Sequence, residues 1–165
     1  MACGERFAFL LPPACEGYVL GALCSGEDYE VGREHVSEIR RRLIRSWNEI
    51  MALENAAQAY PVTERYRAEH DAWLAREEAL GWQLIASSSD FEAMATVAQD
   101  GVCLLDQMVA DGEAHYGTDA VTVPAEPYTP PTRLDQLTDL GRSAVSLAAL
   151  TLLGLVAYKV WDRYG

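Results

Sequence analysis

Sixteen consecutive residues near the end of this chain, Ser143 to Tyr158 (SAVSLAALTLLGLVAY), carry no charge, so wherever they fold they have to leave water. Arg142 and Lys159 bracket the run, and Tyr158, Trp161 and Tyr164 cluster at its far end. As a helix, sixteen residues reach about 24 Å, which is short of a hydrocarbon core of about 30 Å. Lys159 can snorkel, which extends the usable stretch to Trp161 and about 28 Å. The aromatic residues then fall at headgroup depth. The expected anchor face comprises Ala144, Val145, Leu147, Ala148, Leu150 and Leu152, continuing through Leu153, Leu155, Val156, Tyr158 and Trp161. On an insertion scale its leucines and valines contribute roughly −2 to −5 kcal/mol, reduced by the small and polar residues between them. The competing expectation is a core helix of a soluble bundle, which a run this short also permits. The position of the run, beyond a proline-bearing stretch with nothing after it to wrap it, favours a single-pass anchor. Ala144, Ala148 and Thr151, with Leu155 next in line, form a ridge of small residues through which the chain could self-associate.

The N-terminus does not read as a signal peptide. Glu5 and Arg6 cancel, Pro12-Pro13 splits the apolar run, Glu16 interrupts it again, and no cleavage site follows. Residues 1–32 are therefore expected to be an apolar segment that packs on the rest of the protein, with a membrane-touching hairpin over 7–24 as the sharper alternative. Positive residues tie across the C-terminal run, Arg133 and Arg142 before it and Lys159 and Arg163 after it. Orientation then rests on the missing signal peptide, which points to a tail anchor with the remaining chain on the cytoplasmic side.

Residues 33–115 read as a helical bundle. Val36, Ile39, Leu43, Trp47 and Ile50 recur at spacings of three and four, which predicts a helix over about 33–59. Pro61 ends it and Thr63 is placed to cap a second helix over about 64–86, with Tyr66, His70, Trp73, Leu80 and Leu84 inward. Glu77 breaks that stripe, so the face is expected to be half-buried there. Arg65–Glu69 and Arg67–Asp71 are expected as pairs on the outer face. Ser89 and Glu92 have the spacing of a capping box for a third helix running to about Asp111, with Gly112 as its stop. Phe91, Met94, Ala98, Leu105 and Met108 form its stripe and further apolar residues widen it, which predicts the central, most buried helix. Residues 116–132 hold four of the seven prolines and are expected to be an extended linker. The anchor region is 133–165. The expected fold class is all-α: a small antiparallel bundle of about three main helices plus a C-terminal single-pass transmembrane helix.

The chain carries 25 acidic and 13 basic residues, a formal net charge of −12, which argues against nucleic acid as a partner. Against that acidic background stand Arg40, Arg41, Arg42 and Arg45, with Arg33 nearby. They are read as a solvated face paired with Glu34, Glu38 or the acids of another helix, or, as the functional alternative, a contact for an acidic partner or lipid headgroups. Cys3, Cys15, Cys24 and Cys103 show no zinc-ligand spacing and are read as small buried or half-buried thiols. A Cys15–Cys24 bridge is expected only in an oxidising compartment. His35, His70 and His115 each stand one or two positions after a glutamate, never in the E-x-x-H spacing of a di-metal bundle. No phosphate-binding loop, nucleophile elbow or zincin motif occurs, so no enzyme, metal or cofactor is expected.

Two functional readings follow. The first is a membrane-tethered interaction or assembly protein that presents an acidic bundle to protein partners near a bilayer. The second is direct action on membranes as a pore-forming, fusion or lysis factor, suggested by the two apolar ends. The layout, a small acidic helical bundle with a short C-terminal anchor, is also similar to that of the Bcl-2 family, which would imply a tail-anchored regulator of cell death. That family's L-x-x-x-G-D signature does not occur in the chain.

Overall fold

The computed structural model describes residues 3–13, 18–19, 23–24, 26–81, 86–118, 120–122 and 128. These belong to a compact unit covering Met1–Tyr128; a second unit, Thr129–Gly165, lies outside the described residues. Three long helices form the bundle: α1 over Gly26–Ala57, α2 over Pro61–Glu78 and α3 over Ser88–Tyr116. The directions follow from which residues meet. Glu54 meets Thr63, Trp47 meets His70 and Arg40 meets Glu77, so α1 and α2 are antiparallel. Tyr66 meets Asp111 and Arg76 meets Asp100, so α2 and α3 are antiparallel as well. The mostly helical fold is the one expected.

The helix boundaries differ from the sequence expectation in instructive ways. α1 starts seven residues earlier than Arg33, at Gly26. It ends where Gln58 takes a left-handed φ of 52° and Ala59 N–H donates back to Glu54 O at 3.2 Å, the closing bond of a Schellman turn. α2 begins at Pro61 rather than after Thr63, because proline suits the first helical position and Tyr60 supplies no side-chain cap. It ends at Glu78, so Leu80 lies beyond it, half-buried, while Leu84 is outside the described residues. The capping box of α3 is Ser87 with Asp90, not Ser89 with Glu92. Asp90 N–H donates to Ser87 Oγ at 3.2 Å, and Ser87 N–H donates to Asp90 Oδ2 at 2.9 Å. The shift has a tertiary cause: Ala86–Ser87 pairs as a strand with Leu23–Cys24, which holds Ser87 extended where an N-cap must be.

That strand belongs to a feature an all-helical reading omits. Three two-residue strands, β1 (Tyr18–Val19), β2 (Leu23–Cys24) and β3 (Ala86–Ser87), pair antiparallel in that order. Elements this short carry no readable alternation of apolar and polar residues. Ahead of them Ala8–Leu10 forms a single 3₁₀ turn, with Phe7 and Leu10 fully buried. Phe7 and Leu10 join the core cluster formed by the helices.

The core follows the predicted stripes. Val36, Ile39, Leu43 and Ile50 of α1 and Tyr66, His70 and Trp73 of α2 are buried. α3 buries Phe91, Met94, Ala98, Leu105 and Met108 with most of the apolar residues between them, which makes it the central helix. Gly112 does not stop α3. It is buried one turn inside the helix end, where an added Cβ would lie 2.9 Å from Val121 Cγ2 and 3.3 Å from Ile50. Gly117, at φ 104°, is the residue that ends the helix. Gly101 plays the same packing role at mid-helix: its missing side chain leaves room for the Trp73 ring, 2.6 Å from where a Cβ would stand. In the stretch expected to be an extended spacer, Val121 is buried and Thr122 N–H donates to Glu49 Oε2 at 2.7 Å. Tyr128 O–H reaches Glu34 O at 3.4 Å. Among the described residues no helix is long and apolar enough to cross a membrane.

Candidate functional site

The arginine group lies on one part of α1, and its charges are mostly engaged within the protein. Arg40 meets Glu77 of α2 at 2.8 Å and Glu78 at 3.4 Å. The glutamate that interrupts the apolar stripe of α2 is therefore the one that docks α2 to α1. Glu38 accepts from Arg42 at 2.7 Å and faces Arg41 at 3.2 Å. The Arg42 guanidinium also stands 5.2 Å from the centre of the Phe9 ring, a cation–π contact with the N-terminal segment. Arg33 pairs with Glu30 rather than Glu34. Arg41, with 63% of its side chain exposed, and Arg45, exposed and in no ion pair among the described residues, are what this group offers to a partner.

Beside them runs the seam between α1 and α2. Trp47 stacks on His70 with ring centres 4.2 Å apart, and Ile44 is 37% exposed next to it. His70 is buried, with Nδ1 against Asp71 Oδ1 at 3.1 Å and no partner for Nε2. In place of the predicted Arg65–Glu69 and Arg67–Asp71 pairs, one contact runs from α2 to α3 and another stays within α2. Arg65 meets Asp111 at 2.6 Å and Asp71 serves His70. Tyr66 O–H donates to the same Asp111 carboxylate at 2.9 Å, and burial together with that acceptor pushes its pKa up to about 12.

At the base of the seam, a carboxylate on α1 closes the start of α2. Glu54 is fully buried; its Oε1 accepts from Val62 N–H at 2.8 Å and Thr63 N–H at 3.0 Å, and its Oε2 accepts from the Thr63 hydroxyl. Thr63 does not cap α2 itself; its hydroxyl donates a hydrogen bond to the residue that does. A glutamate from the preceding helix thus takes the role that Tyr60, at the N-cap position, cannot.

On the other side, α2 and α3 flank a groove of about 310 Å³ bordered by Trp73, Arg76, Asp100, Cys103 and Gln107. Trp73 Nε1–H donates to Val97 O at 2.8 Å, and Arg76 meets Asp100 at 2.6 Å. Cys103 is not an inert thiol in an apolar run. It forms a disulfide with Cys3, across 100 residues of sequence. The side chains of Cys15 and Cys24 lie outside the described residues, so their expected pairing does too. His35 is buried, and its Nδ1–H donates to Leu10 O at 3.1 Å while the Tyr128 ring meets it edge-on at 5.1 Å. Burial lowers the pKa of His35, opposed by that hydrogen bond.

Among the described residues no three His, Cys, Asp or Glu side chains converge as a metal site. The predicted anchor residues, Ala144 through Trp161, lie outside the described residues. Sequence reasoning missed the Cys3–Cys103 bridge and the Glu54 cap. The only signals for either were the presence of the cysteines and a glutamate near a helix end.

Comparison with protein-family models, with curated proteins and with solved structures finds no match to this chain.

Proposed function

We propose that this protein is a membrane-tethered adaptor, in which a C-terminal single-pass helix holds an acidic three-helix bundle beside a bilayer for recognition by other proteins. The observation that carries the reading is the uncharged run from Ser143 to Tyr158 with aromatic and basic residues at its far edge. Arg41, Arg45 and the partly exposed Ile44–Trp47 edge of α1 support a contact surface on the bundle. The reading contains no catalytic step, cofactor or nucleic acid, places the bundle on the cytoplasmic side, and leaves self-association through the small-residue ridge as a second mode of assembly.

Alkaline carbonate extraction of membranes, comparing full-length protein with a version ending at Thr132, tests the tether. Resistance of the full-length protein with release of the truncation is the expected result. Extraction of both would make 143–161 a core helix of a soluble bundle. A membrane-disrupting role draws less support, because Phe7 and Leu10 are committed to the core rather than available as a second lipid-seeking end. Full-length protein is accordingly expected to leave dye-loaded liposomes intact.

A further inference from the structure

Cys3 and Cys103 occupy a setting unlike that of a buried structural bridge. Cys3 is exposed and Cys103 half-buried at the edge of the groove beside Trp73. Each sulfur has a side-chain amide donor from α3. Gln99 Nε2, four residues before Cys103, lies 3.5 Å from its Sγ; Gln107 Nε2, four residues after, lies 3.7 Å from the Sγ of Cys3. Donors so placed favour the thiolate over the thiol, and it is the thiolate that attacks and leaves in exchange.

The second observation concerns what holds the N-terminal segment once the bridge is open. Phe7 and Leu10 are fully buried, Arg6 forks onto Glu113 at 3.0 and 2.8 Å, and Gly4 N–H donates to Asp106 at 3.2 Å. None of these contacts needs the disulfide. With Phe7 anchored, four residues of chain allow Cys3 an excursion of at most about 14 Å. The two thiols therefore stay neighbours, at the high effective concentration of a short tether, and the bridge can reform without any search.

We propose that Cys3 and Cys103 are a dithiol–disulfide redox pair that exchanges with low-molecular-weight thiols while the bundle remains folded. A thiolate RS⁻ attacks the exposed Cys3 Sγ. The Cys3–Cys103 bond breaks, its electron pair leaves on Cys103 Sγ beside the Gln99 amide, and Cys3 carries a mixed disulfide. A second RS⁻ attacks the R sulfur, releasing RSSR and the Cys3 thiolate, and both cysteines take protons from solvent. Two RSH are oxidised to RSSR as one protein disulfide is reduced to two thiols. The reverse sequence starts from RSSR.

The test equilibrates full-length protein in glutathione buffers stepped from oxidising to reducing, followed by alkylation and tryptic mapping. Cleavage after Arg6, Arg33, Arg76 and Arg133 places Cys3, the Cys15 and Cys24 pair, and Cys103 on three different peptides. Cys3 and Cys103 are expected to convert together within the buffer series, with far-UV ellipticity unchanged and the transient glutathione adduct on Cys3. Gln99→Leu is expected to slow the opening severalfold at unchanged ellipticity. The proposal is overturned if the pair stays oxidised in the most reducing buffer, stays reduced in the most oxidising one, or opens only as helicity is lost. An adduct on Cys103 alone, or an unchanged rate in Gln99→Leu, overturns the assigned order of attack. None of these readouts depends on the membrane tether, so failure here and failure of the adaptor reading are separate results.

Discussion

Replacing Glu54 tests the least expected joint in the bundle. Its carboxylate is fully buried and accepts from two backbone N–H groups and one hydroxyl at the start of α2. Glu54→Ala removes all three acceptor contacts and leaves Val62 N–H and Thr63 N–H without partners inside the protein. An unsatisfied buried donor costs about 1–3 kcal/mol, and helix-cap losses fall in the same range. Allowing for partial relaxation and water entry, the expected loss is about 3–5 kcal/mol, a large share of the roughly 5–15 kcal/mol that holds a domain folded. Glu54→Gln differs in an informative way. Both backbone donors address the same oxygen, Oε1, which a glutamine carbonyl can supply. What it loses is the negative charge at the helix N-terminus and the carboxylate acceptor for Thr63, together about 1–2 kcal/mol. Equilibrium urea unfolding of the full-length variants, followed by far-UV ellipticity, measures both. Equal losses for Ala and Gln, or an Ala cost below about 1 kcal/mol, would refute the idea that this carboxylate closes α2.

Three further outcomes are expected. Gly101→Ala should destabilise by about 1–2 kcal/mol despite alanine's better helix propensity, because its Cβ would stand 2.6 Å from the Trp73 ring; a raised unfolding midpoint would contradict this packing. His35 is held below its ordinary pKa of 6.5, so the folded state binds its proton later than the unfolded chain does. Stability from this group is complete above about pH 6.5 and falls as pH drops below that value toward the folded pKa, and His35→Gln should remove this part of the pH dependence in urea titrations between pH 7.5 and 5. Gln58→Gly, relieving a left-handed φ of 52°, should stabilise by about 0.5–1 kcal/mol, read as a raised urea midpoint.

The gross fold was legible because helical burial is written in local spacing. The α1 stripe Val36–Ile39–Leu43–Ile50 and the broad apolar face of α3 appear at intervals of three and four and are buried as read. Helix ends were legible only to within a few residues. The cap of α3 moved from Ser89 to Ser87 because a strand pairing with Leu23 and Cys24 holds Ser87 extended, a constraint from more than sixty residues away. Gly112 illustrates the same limit. A glycine late in a helix pattern reads as a stop, yet here the approach of Val121 and Ile50 requires it inside the helix.

By itself the sequence determined that the chain would fold mainly as helices, with the apolar stripes of α1 and α3 turned inward. These follow from the transfer of apolar surface out of water, which depends on residue type and near-neighbour spacing. Tertiary structure alone decided that Cys3 meets Cys103, that Glu54 closes the helix after its own, and that Glu77 pairs with Arg40 rather than merely interrupting a stripe. Disulfides, buried carboxylates and ion pairs act over a few ångströms and are blind to sequence distance. No periodic pattern announces them, and they become visible only once the helices have been laid side by side.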